Sequence, residues 1–295
     1  MGIIGPLAES APTDPEDRVL VARIKSGDRS ALEDLVGRHQ AWIYNIAVRM
    51  LYHPQDAEDA TQEILIKAVT RLSSFEGRSS FRTWLYRIVV NHVLNTKRGR
   101  LEPQALTFSC YGHGLDQTPD FDPPDQASVP VDVRLLVDEA RITCTSGMLL
   151  CLDREQRLIY ILGEIFEVSD VVGAELLEIS RENFRQRLAR ARRDLHNFMN
   201  DKCGLVNRAN PCRCAKKTRG FIQAGYVDPQ NLLFARERIQ QVRDVLPQTY
   251  EAITTLEGRH AEIYRQHPFY DPPDVVQALR RLIDSAAFKR ATDLA

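Results

Sequence analysis

Residues 30–50 of this chain read SALEDLVGRHQAWIYNIAVRM. Apolar residues recur there at steps of three and four, which places them along one face of an α-helix. They are Leu32, Leu35, Val36, Ile43, Ile46, Ala47 and Met50. Ser30 and Glu33 match a capping box at the start of this helix, and His53-Pro54 marks its end. The stretch therefore predicts one long amphipathic helix.

Two further helices are predicted directly after it. Asp56 is in position to cap a helix that runs toward Leu72, and a loop follows over residues 73–80. Residues 81–98 then carry an apolar face and a basic face. Together the three helices predict a compact helical domain that ends near Arg100.

The helical periodicity stops after this domain and later returns. Residues 101–130 are rich in Pro, Asp and Gly, a composition typical of an extended acidic linker. Beyond it, Asp153 with Gln156 predicts a second capping box, Ser169 a short helix and Ser180 a longer basic helix. A short helix, a tight turn and a longer helix are typical of a helix-turn-helix motif. Since no stretch alternates long enough to predict a strand, the expected fold class is all-α.

This pattern divides the chain into four parts. They are a helical domain over 17–100, an acidic Pro-rich linker over 101–132, a helix-turn-helix domain over 133–200, and a C-terminal part over 201–295. The C-terminal part holds a cysteine-containing segment and then a helical extension. Its helices are expected to start at Asp228-Pro229 and at Asp274.

The chain has 295 residues and a formal net charge of -1, which conceals strong local segregation. Acidic residues concentrate over 56–63, and basic residues over 78–100 and 181–193. No apolar run is long enough to cross a bilayer, and the first residues lack the pattern of an export signal. We therefore expect a cytoplasmic protein with no membrane partner.

The acidic segment lies on one helical face, formed by Asp56, Asp59 and Glu63 with Gln62 beside them. A run of charges alone is most typical of a solvated surface. Its place in the chain favours a binding role, because an aromatic and basic helix, a linker and a basic helix-turn-helix follow it.

Three strings carry a resemblance to a known family. Residues 56–63, DAEDATQE, resemble the core-polymerase-binding helix of the extracytoplasmic-function (ECF) sigma factors in the sigma-70 family. Residues 75–91, FEGRSSFRTWLYRIVVN, resemble that family's promoter-melting segment, and residues 188–195, LARARRDL, its closing segment. The resemblance covers roughly residues 17–100 and 132–199.

The resemblance implies an RNA polymerase sigma factor, a non-enzymatic subunit that binds core RNA polymerase and promoter DNA and directs transcription initiation. The implied polymerase-binding residues are Asp56, Asp59, Gln62 and Glu63. A carboxylate face at these positions suits a basic partner surface.

The second string has a composition that fits an opened DNA strand, which requires cations for phosphates and aromatic faces for bases. The expected minus-ten DNA-binding residues are Phe75, Glu76, Arg78, Arg82, Tyr86, Arg87, Asn91, Lys97 and Arg98. Phe81 and Trp84 share an apolar stripe with Ile88, so we expect these two rings to pack in the core. For Phe75 and Tyr86 the choice between core packing and base stacking stays open.

The second helix of the helix-turn-helix presents Arg and Gln side chains, which suit base edges and phosphates of a major groove. The expected minus-35 DNA-binding residues are Ser180, Arg181, Glu182, Arg185, Gln186, Arg187 and Arg190. Two positions depart from the family pattern. Glu178 stands where the family usually has the glycine of the turn, and Gly173 replaces a usual apolar core residue, which puts the turn geometry in question.

In this family the linker threads toward the active-site cleft of the polymerase, where acidic side chains mimic a nucleic-acid backbone. Asp116, Asp120, Asp122 and Asp125 fit that role. A soluble tether is the alternative, and the composition does not choose between the two.

Six cysteines in a chain without an export signal are expected to be thiols or metal ligands rather than disulfides. Cys203, Cys212 and Cys214, with His196, are a candidate zinc site. The spacing is weak evidence, because structural zinc sites usually show CxxC pairs and this segment has a single CxC. Redox-sensitive thiols and unligated structural cysteines are the alternatives, and the predicted function requires no cofactor.

The rival hypothesis is a helix-turn-helix repressor or activator that acts on duplex DNA without polymerase. The acidic helix followed by the aromatic and basic helix favours the sigma factor, because a plain repressor needs neither. An enzyme is not supported, since no paired carboxylates stand beside a nucleophile or a phosphate loop. The C-terminal extension has three open roles: it binds a regulator such as an anti-sigma factor, covers the DNA-binding face, or adds stability.

Overall fold

Helices separated by short turns make up most of the residues that the computed structural model describes, which are 15–96, 106–235, 240–242, 256–272 and 275. Within those ranges the only strands are Gln240–Gln241 (β1) and Pro268–Phe269 (β2), which form one antiparallel pair. The predicted all-α fold class is confirmed.

The N-terminal body contains four helices. They are α1 (Pro15–Lys25), α2 (Arg29–Leu51), α3 (Pro54–Thr70) and α4 (Phe81–Asn95). The long amphipathic helix is confirmed, but two predicted caps are wrong. Asp28 caps α2, because its carboxylate accepts from the backbone N–H of Ser30 and Ala31. His53 rather than Asp56 caps α3, with Pro54 as its first residue.

Helix α1 is fixed on α2 by a buried carboxylate. Asp17 Oδ2 lies 3.0 Å from His39 Nε2, and Arg38 Nε donates to Asp17 Oδ1 at 3.0 Å. Burial acting alone would raise the pKa of Asp17, but the hydrogen bond with His39 and the nearby cations lower it. Asp17 is therefore ionised, and it attaches the N-terminal helix to the body.

The linker contains more structure than its composition indicates. Residues 101–105 lie outside the described ranges, but Phe108–Gln117 form helix α5, and Gln126–Ser128 form a 3-10 turn. Thr107 caps α5 by accepting from the backbone N–H of Cys110, and the Phe108 ring lies 5.1 Å from the ring of Phe198. The prediction of an extended linker is wrong over these residues, because their apolar side chains are covered by the following domain.

The third part of the chain holds α6 (Val133–Leu149), α7 (Arg154–Tyr160), α8 (Asp170–Leu177) and α9 (Arg181–Lys202). A π-helical turn, Ile161–Ile165, extends α7. The predicted capping box of Asp153 and Gln156 is confirmed, as are the caps at Ser169 and Ser180.

The C-terminal part supplies α10 (Cys214–Gln223) and α11 (Leu256–Arg265). The helix predicted to begin at Asp228-Pro229 is not formed over residues 228–235, which are turns and bends. The predicted cap at Asp274 lies outside the described residues.

Most of the buried apolar residues of both bodies belong to one continuous core that reaches from Leu20 to Val275. Ile159, Ala174 and Phe184 form a separate small cluster within the helix-turn-helix domain. Arg157 crosses the boundary between the two bodies and is only 2% exposed. Its guanidinium donates to the carbonyl of Met50 in α2 at 2.6 Å. It also donates to Leu149, Leu150 and Leu152 at the end of α6. One arginine thus satisfies helix-end carbonyls from both bodies.

Candidate polymerase and promoter interface

The acidic face of α3 is presented to solvent. Asp59, Gln62 and Glu63 are exposed, and Asp56 is half-buried. The opposite face of the helix, with Ala57, Ala60 and Ile64, is buried in the core and fixes the orientation. Lys67 Nζ and His92 Nε2 each lie 3.9 Å from Glu63 Oε2, too far for a direct hydrogen bond. The carboxylates of Asp59 and Glu63 are therefore available for a basic partner, whereas Asp56 Oδ2 is buried.

The loop that follows α3 carries the first predicted base contacts. Gly77 adopts a φ of 75°, which favours glycine at the tip of the loop. Glu76 and Arg78 flank it, both exposed, with Arg78 Nη2 2.6 Å from Glu76 Oε2. Lys25 Nζ donates to the carbonyl of Phe75 at 2.6 Å and so anchors the start of the loop.

The aromatic rings are arranged differently from the prediction. Tyr86, expected at the DNA, is completely buried, and burial raises the pKa of its hydroxyl. Trp84, expected in the core, is only half-buried, and its ring lies 5.4 Å from Phe75 and 5.6 Å from Phe81. The prediction for Tyr86 is wrong because the ring points inward toward His39, at 6.5 Å. Phe75 and Trp84 are the partly open rings of this surface.

Helix α4 carries the basic residues predicted for the minus-ten strand. Arg82 and Arg87 are half-buried and Asn91 is exposed. Lys97 and Arg98 lie outside the described residues. Arg87 faces helix α8 of the helix-turn-helix domain. It lies 3.8 Å from both Glu175 and Glu178.

Helix α9 turns most of its predicted minus-35 residues outward. Arg181, Glu182, Arg185, Gln186 and Arg190 are exposed. Ser180 does not project from the helix, because its hydroxyl accepts from the backbone N–H of Asn183 as the N-cap.

Neighbouring acids engage part of this surface. Arg185 lies 3.4 Å from Asp170 and 3.6 Å from Glu182. Arg187 is half-buried and forms an ion pair with Glu155 of α7. In this arrangement Arg187 joins two helices of its own domain and is not directed outward.

The two departures in the helix-turn-helix have structural explanations. A Cβ at residue 173 would lie 2.3 Å from the ring of Phe184, so glycine makes room for that ring. Glu178 takes the left-handed backbone conformation, with φ 55° and ψ 40°, in the turn between α8 and α9. The turn therefore keeps its shape without a glycine, at a cost of about 1–2 kcal/mol of conformational strain.

The cysteines do not assemble with His196. Its Nε2 lies 3.2 Å from the hydroxyl of Tyr160, and its ring stacks on His260 at 3.8 Å. Among the residues that the structure describes, no three His, Cys, Asp or Glu side chains are placed to hold a metal ion. The zinc site stays a prediction.

Sequence reasoning overlooked Cys144 of α6. Burial raises the pKa of Cys144, and the neighbouring thiols of Cys214, Cys203 and Cys212 raise it further. Burial likewise raises the pKa of Cys214 to about 12. The four thiols are therefore neutral and close enough to influence one another. Cys144 is distant in the chain, so only the packing of α6 against α10 brings it to this cluster.

Within the described parts of the chain, no helix is both long and apolar enough to span a membrane.

The geometry defines a helical protein with an acidic face, an aromatic and basic loop and helix, and a helix-turn-helix. The Sigma-70 region 2 family matches residues 23–101, a segment that contains α2, α3 and α4 and the last three residues of α1. The RNA polymerase sigma factor YlaC of Bacillus subtilis is 34% identical over 172 residues, which are 58% of this chain and 93% of that protein. The ECF RNA polymerase sigma factor SigW of the same organism is 28% identical over 186 residues, 61% of this chain and 95% of that protein.

A solved structure, "Structure of CnrH in complex with the cytosolic domain of CnrY", is 26% identical and covers 63% of this chain and 98% of that one. Its TM-score of 0.45 is too low to support a structural argument. The two sequence relatives and the region 2 match together show the family. This chain belongs to the RNA polymerase sigma factors of the ECF type.

Proposed function

We propose that this chain binds bacterial core RNA polymerase through the acidic face of α3 and directs it to promoters through α4 and α9. The observation that carries the proposal is the exposure of Asp59 and Glu63 on α3, the helix that leads into the aromatic and basic loop. Both features lie inside the segment that matches Sigma-70 region 2.

The acidic face is suited to a protein partner with complementary charge. Carboxylates on a rigid helix need no ordering when a basic surface approaches, so electrostatic attraction contributes to both encounter and orientation.

The loop after α3 is suited to an opened DNA strand. Phe75 and Trp84 offer partly exposed faces, and Arg78 stands beside them at the tip. Stacking of a base on an aromatic face contributes about 1–3 kcal/mol. The helix-turn-helix domain over 133–200 corresponds to region 4 of a sigma factor and is called region 4 below. In it, Arg181 and Arg190 project from α9 and have no ion-pair partner among the described residues, which suits phosphate and base contacts.

The role is one of binding and positioning, so the chain itself is proposed to be non-enzymatic. Because core RNA polymerase acts in the cytoplasm, the proposed location of the chain is the cytoplasm. No cofactor is required for these contacts, and zinc at Cys203, Cys212 and Cys214 would serve stability alone.

The test uses sigma-free core polymerase, genomic DNA fragments and the purified chain, with transcript 5′ ends mapped by sequencing. Discrete start sites are expected with the unmodified chain and are expected to vanish when Asp59→Lys and Glu63→Lys are combined. Asp34→Lys with Asp201→Lys is the matched control, because both residues are exposed and the charge change is the same.

Two other outcomes contradict the proposal. If the chain binds duplex DNA but does not bind core polymerase, it is a repressor or activator. If the control abolishes the start sites as strongly as the Asp59 and Glu63 variant, the acidic face has no specific role.

A further inference from the structure

The two DNA-binding regions contact one another directly. Arg87 of α4 lies 3.8 Å from the carboxylate of Glu175 on α8 and 3.8 Å from that of Glu178 in the turn after α8. Arg154 of α7 donates to the backbone carbonyls of Leu94, at 3.2 Å, and of Thr96. Region 4 therefore covers part of the helix that is proposed to hold the minus-ten strand, and it supplies acids where DNA would supply phosphates.

This arrangement does not fit simultaneous binding of both promoter elements. The minus-ten and minus-35 elements lie about 25 base pairs apart, which is about 85 Å at 3.4 Å per base pair. A compact chain of this length has a radius of gyration of only about 19 Å. Two regions in direct contact cannot reach both elements, so promoter binding requires them to separate.

The C-terminal part attaches to region 2 through residues 268–270. Asn45 of α2 donates to the backbone carbonyl of Tyr270 at 2.8 Å and accepts from its N–H at 3.0 Å. Arg49 donates to the carbonyl of Pro268 at 2.9 Å. The ring of Phe269 lies 5.2 Å from the buried ring of Trp42.

The same C-terminal part attaches to region 4. The buried carboxylate of Glu139 on α6 accepts from the backbone N–H groups of Leu233, Phe234 and Ala235, at 2.6–3.2 Å. Arg265 of α11 donates to the carbonyl of Glu164 at 2.7 Å. Tyr264, fully buried, donates to the carbonyl of Thr145 at 3.2 Å.

We propose that residues 232–235 and 260–270 form an intramolecular clasp that holds regions 2 and 4 together and restrains promoter-directed transcription until it is released. This inference rests on the proposed sigma function. A closed population of 99% lowers the apparent affinity for a partner of the open form about 100-fold. Loosening the clasp therefore increases transcription.

The test uses three full-length variants. Phe269→Ala removes the ring that contacts Trp42, and Glu139→Gln keeps the side-chain shape while it weakens the acceptor of the three N–H groups. Asp271→Asn is the control, because Asp271 is exposed beside the clasp. Small-angle X-ray scattering gives the radius of gyration, and transcripts are counted at limiting chain with core polymerase. Circular dichroism checks the helical content.

Both clasp variants are expected to enlarge the radius of gyration and to raise transcript yield at least threefold, with Asp271→Asn unchanged. If Phe269→Ala loses helical content, the result with Glu139→Gln decides whether the clasp holds the two regions together. A larger radius with no gain in transcripts overturns the inhibitory role, and no change in either quantity overturns the clasp. If no form of the chain binds core polymerase, the proposed function fails, while the scattering still shows whether the clasp holds the regions together.

Discussion

Two arginines in the proposed DNA-binding surfaces have contrasting environments. Arg87 on α4 of region 2 is half-buried and faces two carboxylates of region 4, each 3.8 Å away. Arg190 on α9 of region 4 is exposed and has no ion-pair partner among the described residues. Both residues were expected to bind DNA, although α4 is mainly apolar with two arginines and α9 is rich in arginine. Only the folded chain shows that one of them lies beside carboxylates of the protein and the other does not.

The difference arises from the contact between the two regions. Helix α8 lies on α4, whereas the outer face of α9 points away from region 2. The proposed minus-35 surface of region 4 is thus exposed, while region 4 partly covers the proposed minus-ten surface. The following variants test whether the two regions differ in stability and in access to DNA.

The largest effect is expected at Arg157, whose guanidinium joins the two regions. Arg157→Met removes the donor of the carbonyls of Met50, Leu150 and Leu152 in a buried site, while Leu149 keeps the backbone N–H of Leu152. The free energy of unfolding is expected to fall by about 3–5 kcal/mol. Urea unfolding followed by circular dichroism measures it.

Arg134→Met is the control for Arg157, since Arg134 is exposed on α6. Its effect is expected to stay within about 0.5 kcal/mol. A loss below 1 kcal/mol for Arg157→Met would contradict the role of this arginine as the link between regions.

Two glycines test whether the regions differ in how tightly they are packed. Gly173→Ala places a Cβ 2.3 Å from the ring of Phe184 and should destabilise region 4 by about 1–3 kcal/mol. Gly37→Ala in α2 meets no atom within 4 Å. It should stabilise region 2 by about 0.5–1 kcal/mol, because alanine favours a helix interior. Urea unfolding of both variants gives the sign of each change in the free energy of unfolding. The same sign for both variants would contradict the proposed difference in packing between the two sites.

A smaller effect depends on pH. Burial lowers the pKa of His196 to about 3, and the nearby His260 and Arg192 act in the same direction. Since the ordinary value is 6.5, protonation favours the unfolded chain. The contribution of neutral His196 to the free energy of unfolding is fully present above pH 6.5 and is lost as the pH falls toward 3. Between pH 7.5 and 5.5 the loss is about 1 kcal/mol.

His196→Gln should remove this pH dependence, because glutamine is neutral and its amide can still accept from Tyr160. His92→Gln is the region 2 comparison, since burial and Lys67 also lower the pKa of His92. Urea unfolding at the two pH values should show the greater flattening for His196→Gln. If His92→Gln flattens the profile more, region 2 rather than the contact of region 4 with the clasp sets the pH dependence.

The sequence was informative where local rules dominate. The helical class, the capping residues Asp153, Ser169 and Ser180, and the acidic face of α3 all follow from short-range patterns. Tyr86 and Trp84 were misplaced because neighbouring positions on one helix differ in burial only through what packs on them.

The contact between regions and the clasp could not be predicted, because their partners are distant in the chain. Asn45 meets Tyr270, and Glu139 meets Phe234, through tertiary packing that leaves no local periodic signal. The same holds for Cys144, which joins the C-terminal cysteines only in the folded chain.

The smallest effect on stability is expected at Glu178. A variant at this residue tests most directly whether region 4 limits the access of DNA to Arg87. Glu178→Gly relieves a left-handed backbone conformation that costs about 1–2 kcal/mol for a side chain, while the glycine loses more entropy on folding, by about 0.5–1 kcal/mol. The lost ion pair with Arg87 is exposed and contributes at most about 1 kcal/mol. The net change should therefore lie within about 1 kcal/mol of zero, whereas binding of a single-stranded minus-ten oligonucleotide, measured by fluorescence anisotropy, should tighten.

Glu175→Gln separates the two causes, because it removes the other carboxylate near Arg87 without changing the backbone of the turn. If both variants tighten oligonucleotide binding, the carboxylates compete with DNA for Arg87. If only Glu178→Gly does so, the conformation of the turn controls how α8 lies on α4. If neither does, Arg87 is accessible despite its position, and the contrast with Arg190 has no consequence for DNA binding.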